Sequence, residues 1–266
     1  MEAGHRIAAV SGREATPARV HRYLRYVPLL SDADAAEAGD VVIIGVPDES
    51  IADICSKVVA AGAVGSGKAV LHLSGSVPLD VLEPAGAAGA TVLSLHPLQS
   101  APDVDDAVNR FPGSAMAVSA LDDAGYGLGE RLARDAGGRP FRLADERKPL
   151  YHAAAVFASN YLVVVEAVAE RLFRSAGLEN SVELLAPLTR ATLENFLSEG
   201  AAALTGPAAR GDAATIRRNL EALAAHAPDA IPAYVALARA ALDLAEDAGK
   251  IDPAGRARVE EVLSWK

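Results

Sequence analysis

The sequence predicts an α/β protein in which an N-terminally truncated Rossmann parallel sheet is followed by an all-α domain. Short, nearly all-apolar runs such as VVIIGV, AVLHL and TVLSL alternate with helical patterns before residue 145, as expected of parallel strands covered on both faces. After residue 145 no strand pattern survives, and Ala- and Leu-rich helical segments fill the rest. Neither a first strand nor a G-x-G-x-x-G turn precedes the first β-branched run.

The expected strands cover residues 6–10, 40–46, 69–73, 90–95, 115–119 and 141–143. The opening AGHRIAAVSGR reads as the end of a helix, a Gly turn, and a second Rossmann strand closing on Ser11, Gly12 and Arg13. A complete unit would place its first strand and Gly-rich turn some 20 to 30 residues upstream, where their amides hold a pyrophosphate. A sheet that starts at its second strand leaves its central slot unfilled, so the reading favours a chain start called late at Met1 over a lost segment. The helical half is expected over 147–176, 182–199, 213–225, 231–248 and 253–263, with Gly177, Gly200, Gly211, Pro228 and Gly249 as punctuation. The domain division is set at 145, giving 1–145 for an NADP-binding domain and 146–266 for a helical substrate and dimerisation domain.

Composition narrows the function. With 51% hydrophobic residues the chain can bury a large core. Its 25 basic against 35 acidic residues give a net charge of −10 with no basic run, which argues against nucleic acid as a partner. No stretch approaches 18 uninterrupted apolar residues and the N-terminus lacks a signal peptide's apolar core, so no membrane partner and a cytoplasmic location are expected. The single Cys55 forms no internal disulfide, and the six His show no metal-ligand spacing, so no metal site is expected.

Several polar residues end expected strands, where open α/β sheets bind ligands. Ser11 and Arg13 suit a 2′-phosphate, whereas an acidic residue there would pair with a ribose 2′-hydroxyl, so NADP is favoured over NAD. Val46, Pro47 and Asp48 close one strand, His72, Ser74 and Gly75 the next, and Ser94, His96, Pro97 and Gln99 the one after, all lining one cleft. Gly62-Ala-Val-Gly-Ser-Gly-Lys68 imitates a P-loop, but Ala69 replaces the metal-binding hydroxyl and the loop leads into a strand, so it is rejected as a nucleoside triphosphate site.

The helical stretch KPLYHAAAVFASNY, residues 148–161, sets polar groups among small apolar ones, where they cost free energy without partners or a task. At 3.6 residues per turn Lys148, His152 and Ser159 fall within about 40° of one another, with Asn160 about 80° from His152. A core helix with a satisfied His is the competing reading. Further on, Asp212 is placed to cap the helix over 213–225, while Thr205 and Arg210 lack so simple a structural reason, and Arg210 could reach an anionic substrate group.

The segments VVIIGVPDESI, VLHLSGS, SLHPLQS, KPLYHAAAVFASNYLV, LLAPL and ALTGPAARGD resemble a Rossmann-like bacterial family with a C-terminal helical domain of unknown function. That family is related to deazaflavin-dependent NADP reductases and to pyrroline-carboxylate and ketopantoate reductases. The resemblance spans essentially the whole chain. It implies an N-terminal NADP-binding domain and a C-terminal domain like that of 6-phosphogluconate dehydrogenase, through whose helices such proteins often form homodimers. The missing Gly-rich turn is the departure from the pattern.

The expected activity is NADP-dependent hydride transfer to a small-molecule keto or imino acid. His152 is the candidate acid, since an imidazole titrates near neutral pH, and Lys148 would polarise the substrate or bind its carboxylate. Ser159 and Asn160 would hold substrate or the nicotinamide amide. Ser11, Arg13, Val46, Pro47, Ser74, Gly75 and His96 would bind the cofactor, and Thr205 and Arg210 the substrate. The alternative is a non-catalytic nucleotide-binding or regulatory protein using the same cleft.

Overall fold

The computed structural model describes residues 4–13, 16–100 and 103–264. Contacts divide the chain into two compact units, Met1–Asn160 and Tyr161–Lys266, so residues 148–160 pack with the sheet-bearing unit.

In the first unit one five-stranded sheet has the order β1-β2-β3-β4-β5, built from β1 Val41–Ile44, β2 Ala69–His72, β3 Thr91–Leu98, β4 Ala115–Ala120 and β5 Arg139–Arg142. Successive side chains of a strand point to opposite faces, so an all-apolar run needs cover on both. Val70 and Val92 pack with Ile51, Val58 and Leu82 on one face. Leu71 and Leu93 pack with Met116, Val118 and Ala133 on the other.

The sheet corrects the expectation of parallel pairing throughout. β1–β2, β2–β3 and β4–β5 are parallel, whereas β4 runs antiparallel to β3, pairing from Leu93↔Ala120 to Leu98↔Ala115. The helix between β3 and β4, Val104–Arg110, has seven residues and spans about 10 Å, against about 26 Å for the eight-residue β3. It does not carry the chain back along the sheet, so β4 starts from the far end of β3. The 13-residue helix Asp123–Asp135 does make that return, and β5 is parallel to β4.

Residues 6–10 also depart from expectation. They form no strand: Val10 makes one isolated parallel bridge with Leu29, held by Val10 N–H to Pro28 O and Leu30 N–H to Val10 O, each 2.9 Å. Two hydrogen bonds do not propagate a ladder without a neighbouring strand on the other side. β1 accordingly ends the sheet, and its Ile43 is 57% exposed.

The P-loop imitation folds as rejected. Gly62 adopts φ +72°, and Lys68 Nζ donates to the carbonyls of Ala36, Glu37 and Gly39 at 3.1, 2.8 and 2.6 Å. It thereby caps the C-terminal end of the helix Asp32–Ala38.

The helices before residue 145 are α1 Thr16–Tyr23, α2 Asp32–Ala38, α3 Ile51–Ala60, α4 Glu83–Ala87, α5 Val104–Arg110 and α6 Asp123–Asp135. α7 Lys148–Val156 leads through a π-helical turn, Phe157–Tyr161, into α8 Leu162–Ser175. In the second unit α9 Ser181–Glu199, α10 Ala213–His226, α11 Ile231–Asp247 and α12 Pro253–Leu263 follow. Ile216, Leu220, Leu242, Val259 and Leu263 form the core of α10 to α12. Asp212 caps α10 as expected, accepting from Thr215 N at 3.0 Å.

Candidate functional site

The unequal lengths of the strands create the site. β2 ends at His72, paired with Ser94, while β3 runs on to Leu98, so His96 and Pro97 have a strand neighbour only in β4. His96 was expected in a loop beyond its strand; it lies within β3, opposite Ala117. Pro97 is tolerated there because the N–H it lacks has no β2 acceptor to meet.

Beyond β1 and β2 the loops are tied together by a carboxylate. Asp48 Oδ2 accepts from Ser74 Oγ at 2.8 Å and from Ser76 Oγ at 2.9 Å, and Ser74 Oγ in turn accepts from the amides of Ser76 and Val77. Val46 is half-buried, and Pro47 is exposed at the start of the short helical turn Asp48–Ser50. His72 is fully buried, and its Nδ1 accepts from Ser74 N at 3.1 Å. Burial, reinforced by the Lys148 charge and opposed by Asp48 and the Pro78 carbonyl, pushes its pKa down to about 4, so the ring is neutral.

α7 closes the cluster. Lys148 is 1% exposed, and its Nζ donates to Ser94 Oγ at 2.9 Å and lies 3.9 Å from Asp145 Oδ1. Asp145 Oδ2 accepts from Leu79 N at 2.9 Å, so this carboxylate anchors the start of α7 to the loop after β2. Burial pushes the Lys148 pKa down to about 8 against the pull of Asp145 and Asp48. One turn on, Tyr151 Oη lies 2.8 Å from His96 Nδ1, and burial raises this phenol to about 12. The Tyr151 ring meets those of His96 and Phe141 edge-on at 5.6 and 6.0 Å. The His152 ring stands 6.3 Å from that of His96, and its buried Nδ1 has no hydrogen-bond partner. Burial, and then the His152 and Lys148 charges, lower the His96 pKa against Asp48.

Lys148, His152, Ser74, Gly75 and His96 therefore come together, with Ser94 and Asp48 joining them. Ser159 and Asn160 lie exposed in the π-turn, whose extra residue breaks the constant 3.6-residue phase that placed Ser159 in line with His152. Arg13 is exposed, with Nη2 3.5 Å from Ser50 Oγ, and Ser11 lies beside Asp32, whose carboxyl Lys57 and then the Ser11 hydroxyl lower. Thr205 and Arg210 are exposed residues of the helical unit. Sequence reasoning missed Tyr151 and Asp145. Tyr151 precedes His152 and sits three residues after Lys148, the spacing that puts a side chain on the same helical face, but an aromatic in an apolar helix reads as core. Among the described residues no cluster of His, Cys, Asp and Glu could hold a metal ion.

A sheet-bearing unit with polar groups gathered beyond its strand ends, joined to a helical unit, is the architecture of Rossmann-type proteins with a helical C-terminal domain. Residues 1–97 match the model of a Rossmann-like domain, and residues 114–241 match that of a Domain of unknown function (DUF2520). No curated protein matches. Among solved structures the chain is similar to a proposed NADP oxidoreductase of Bacteroides fragilis, at 23% identity and TM-score 0.71, covering 91% of this chain and 90% of that one. A protein of Thermotoga maritima aligns at 23% identity and TM-score 0.68, over 89% and 90% of the two chains. A reductive aminase of Aspergillus terreus in complex with NADPH and ethyl levulinate aligns at 18% identity and TM-score 0.61, over 95% and 89%. At these identities the likeness establishes the shared fold.

Proposed function

We propose that this protein is an NADP-dependent oxidoreductase that reduces a small keto or imino acid. The observation that carries the reading is His152, whose buried Nδ1 has no hydrogen-bond partner among the described residues and whose ring stands beside His96 at the end of the sheet. An unpaired buried polar atom costs about 1–3 kcal/mol, so its retention fits a group kept for a ligand or a proton. The same orphaned nitrogen and the polar loops after β1 and β2 fit one flank of a dinucleotide. Val46, Pro47, Ser74 and Gly75 would line it, and Ser11 and Arg13 would meet its 2′-phosphate. When bound, the dinucleotide would supply a hydride to the carbonyl or imine carbon.

His152 then delivers a proton to the substrate oxygen or nitrogen. Lys148, turned inward to Ser94, contributes a fixed positive charge beneath the site and holds α7 against β3. The test is NADPH fluorescence titration of the chain followed by a screen of keto and imino acids. His152→Ala is expected to lower turnover by about 10²- to 10⁴-fold while NADPH affinity stays within a few-fold. Unchanged turnover would remove His152 from the acid role, and NADPH binding without turnover of any such acid would favour a regulatory protein.

We also infer that the protein forms a homodimer through its helical unit. Val163, Val182, Leu188 and Leu197 on α8 and α9 are 68, 63, 64 and 74% exposed, far more apolar surface than an isolated chain leaves open. The helical run Asp145–Ser175 is long and apolar enough to cross a bilayer by length and composition alone. It also carries Glu166, Glu170, Arg171 and Arg174, each costly in hydrocarbon, which favours a second copy as the cover.

A further inference from the structure

We propose that Tyr151 is a positioning residue: its hydroxyl donates to Nδ1 of His96 and, with Gly75 as a flat backing, holds that ring as the neutral tautomer whose Nε2–H is the donor offered to a carbonyl or carboxylate oxygen of the substrate. The inference deepens the oxidoreductase reading, and rests on it for the identity of that oxygen.

Two independent features fix the ring. The Tyr151 Oη to His96 Nδ1 distance is 2.8 Å, and a phenol whose pKa lies at about 12 remains a donor across the working pH range. A donor on Nδ1 leaves the one imidazole hydrogen on Nε2. Tyr151 is itself set by the edge of Phe141 at 6.0 Å, on β5. On the opposite side, a Cβ on Gly75 would stand 2.8 Å from Cε1, Nδ1 and Nε2 of His96, closer than real Cβ contacts come. The ring therefore lies flat on Gly75 and no larger residue leaves it there. The charged or titratable groups acting on His96 are His152 and Lys148 from α7 and Asp48 from the loop after β1; burial comes first in lowering its pKa, with His152 and Lys148 acting in the same direction and Asp48 against them. The consequence is a division of labour between neighbouring imidazoles. His96 stays neutral and recognises an oxygen, and the proton to be delivered belongs to His152.

The test uses the full chain labelled with ¹⁵N-histidine, without nucleotide, and reads the tautomer and pH midpoint of His96 from long-range ¹H–¹⁵N spectra. Wild type is expected to show Nε2–H. Tyr151→Phe keeps the ring against His96 and Phe141 and removes only the donor. It is expected to mix the tautomers and to raise the His96 midpoint by about half to one pH unit, the size of one lost hydrogen bond to the neutral form. Gly75→Ala is expected to displace the ring and abolish the same Nδ1 signature. A wild-type Nδ1–H tautomer, or His96 spectra and midpoint unchanged by either substitution, would overturn the proposal. NADPH titration of the same samples separates the outcomes: loss of cofactor binding in wild type sinks the oxidoreductase reading and leaves the tautomer result standing, and the converse holds equally.

Discussion

Lys148 is a cation enclosed by protein with one hydroxyl oxygen as acceptor and a carboxylate 3.9 Å away, an arrangement that disfavours its charge. Its folded pKa of about 8 lies below the ordinary 10.5, so between those values the unfolded chain holds a proton that the folded one has released. Stability therefore rises with pH across that window, by at most about 3 kcal/mol. Urea unfolding of wild type and Lys148→Met at pH 7.5, 9 and 10 is expected to show this rise in wild type and its absence in the variant; parallel curves would mean that Lys148 is solvated. His72 works in the acid range by the same logic. Its pKa is depressed from 6.5 to about 4, so stability is complete above pH 6.5 and falls as pH drops toward 4, where the unfolded chain takes the proton first. His72→Asn, whose amide oxygen can accept from Ser74 N in place of Nδ1, is expected to flatten the acid limb by about 2 kcal/mol, read from pH-dependent thermal unfolding.

At the scale of elements, how well the sequence could be read depends on what each signal encodes. The helical half is marked by Ala- and Leu-rich periods and by Gly177, Gly200 and Gly211, all at positive φ, and α9 to α12 start and stop within two residues of expectation. An apolar strand run carries no direction, so the reversal of β4 is invisible until the short helix Val104–Arg110 is measured against β3. Residues 6–10 have a strand's composition but only one bridge, because a strand is made by its neighbours. The π-turn at Phe157–Tyr161 has no sequence mark at all, since the residues on either side are ordinary helix formers. His152 and His96 are both marked in the sequence as polar groups in apolar surroundings, whereas Tyr151, the partner of His96, carries no such mark. The apolar face of α8 and α9 belongs to this scale as well. Two carboxylates placed in it, by Leu188→Glu and Leu197→Glu, substitute exposed positions and leave the core of α10 to α12 untouched. Light scattering on a sizing column is expected to show the wild type at twice the chain mass and the double variant at the chain mass with unchanged helical circular dichroism. A monomeric wild type would mean that this face is covered by something other than a second copy.

For the molecule as a whole the net charge of −10 works against any anionic ligand, and a dinucleotide phosphate approaching such a surface needs a local cation. In the proposed reading Arg13 would be that cation. Its guanidinium is exposed and lies 3.5 Å from Ser50 Oγ, at the end of the Asp48–Ser50 turn that follows β1, which holds it near the strand ends. Ser11, two residues earlier, is drawn toward Asp32, and Lys57 donates to the same carboxylate at 2.6 Å, so that this acidic group is already neutralised within the fold. In the proposed reading this local charge would meet the additional 2′-phosphate of NADP, which the bare ribose of NAD lacks. Arg13→Glu reverses the charge at one exposed point and disturbs no core contact. It is expected to weaken NADPH by at least about tenfold while leaving NADH within about twofold, with the loss shrinking as salt rises from low to physiological ionic strength. Fluorescence titrations with both nucleotides at two salt concentrations read this directly. Equal weakening of the two would place Arg13 on the shared pyrophosphate, and no weakening of either would remove it from the cofactor site.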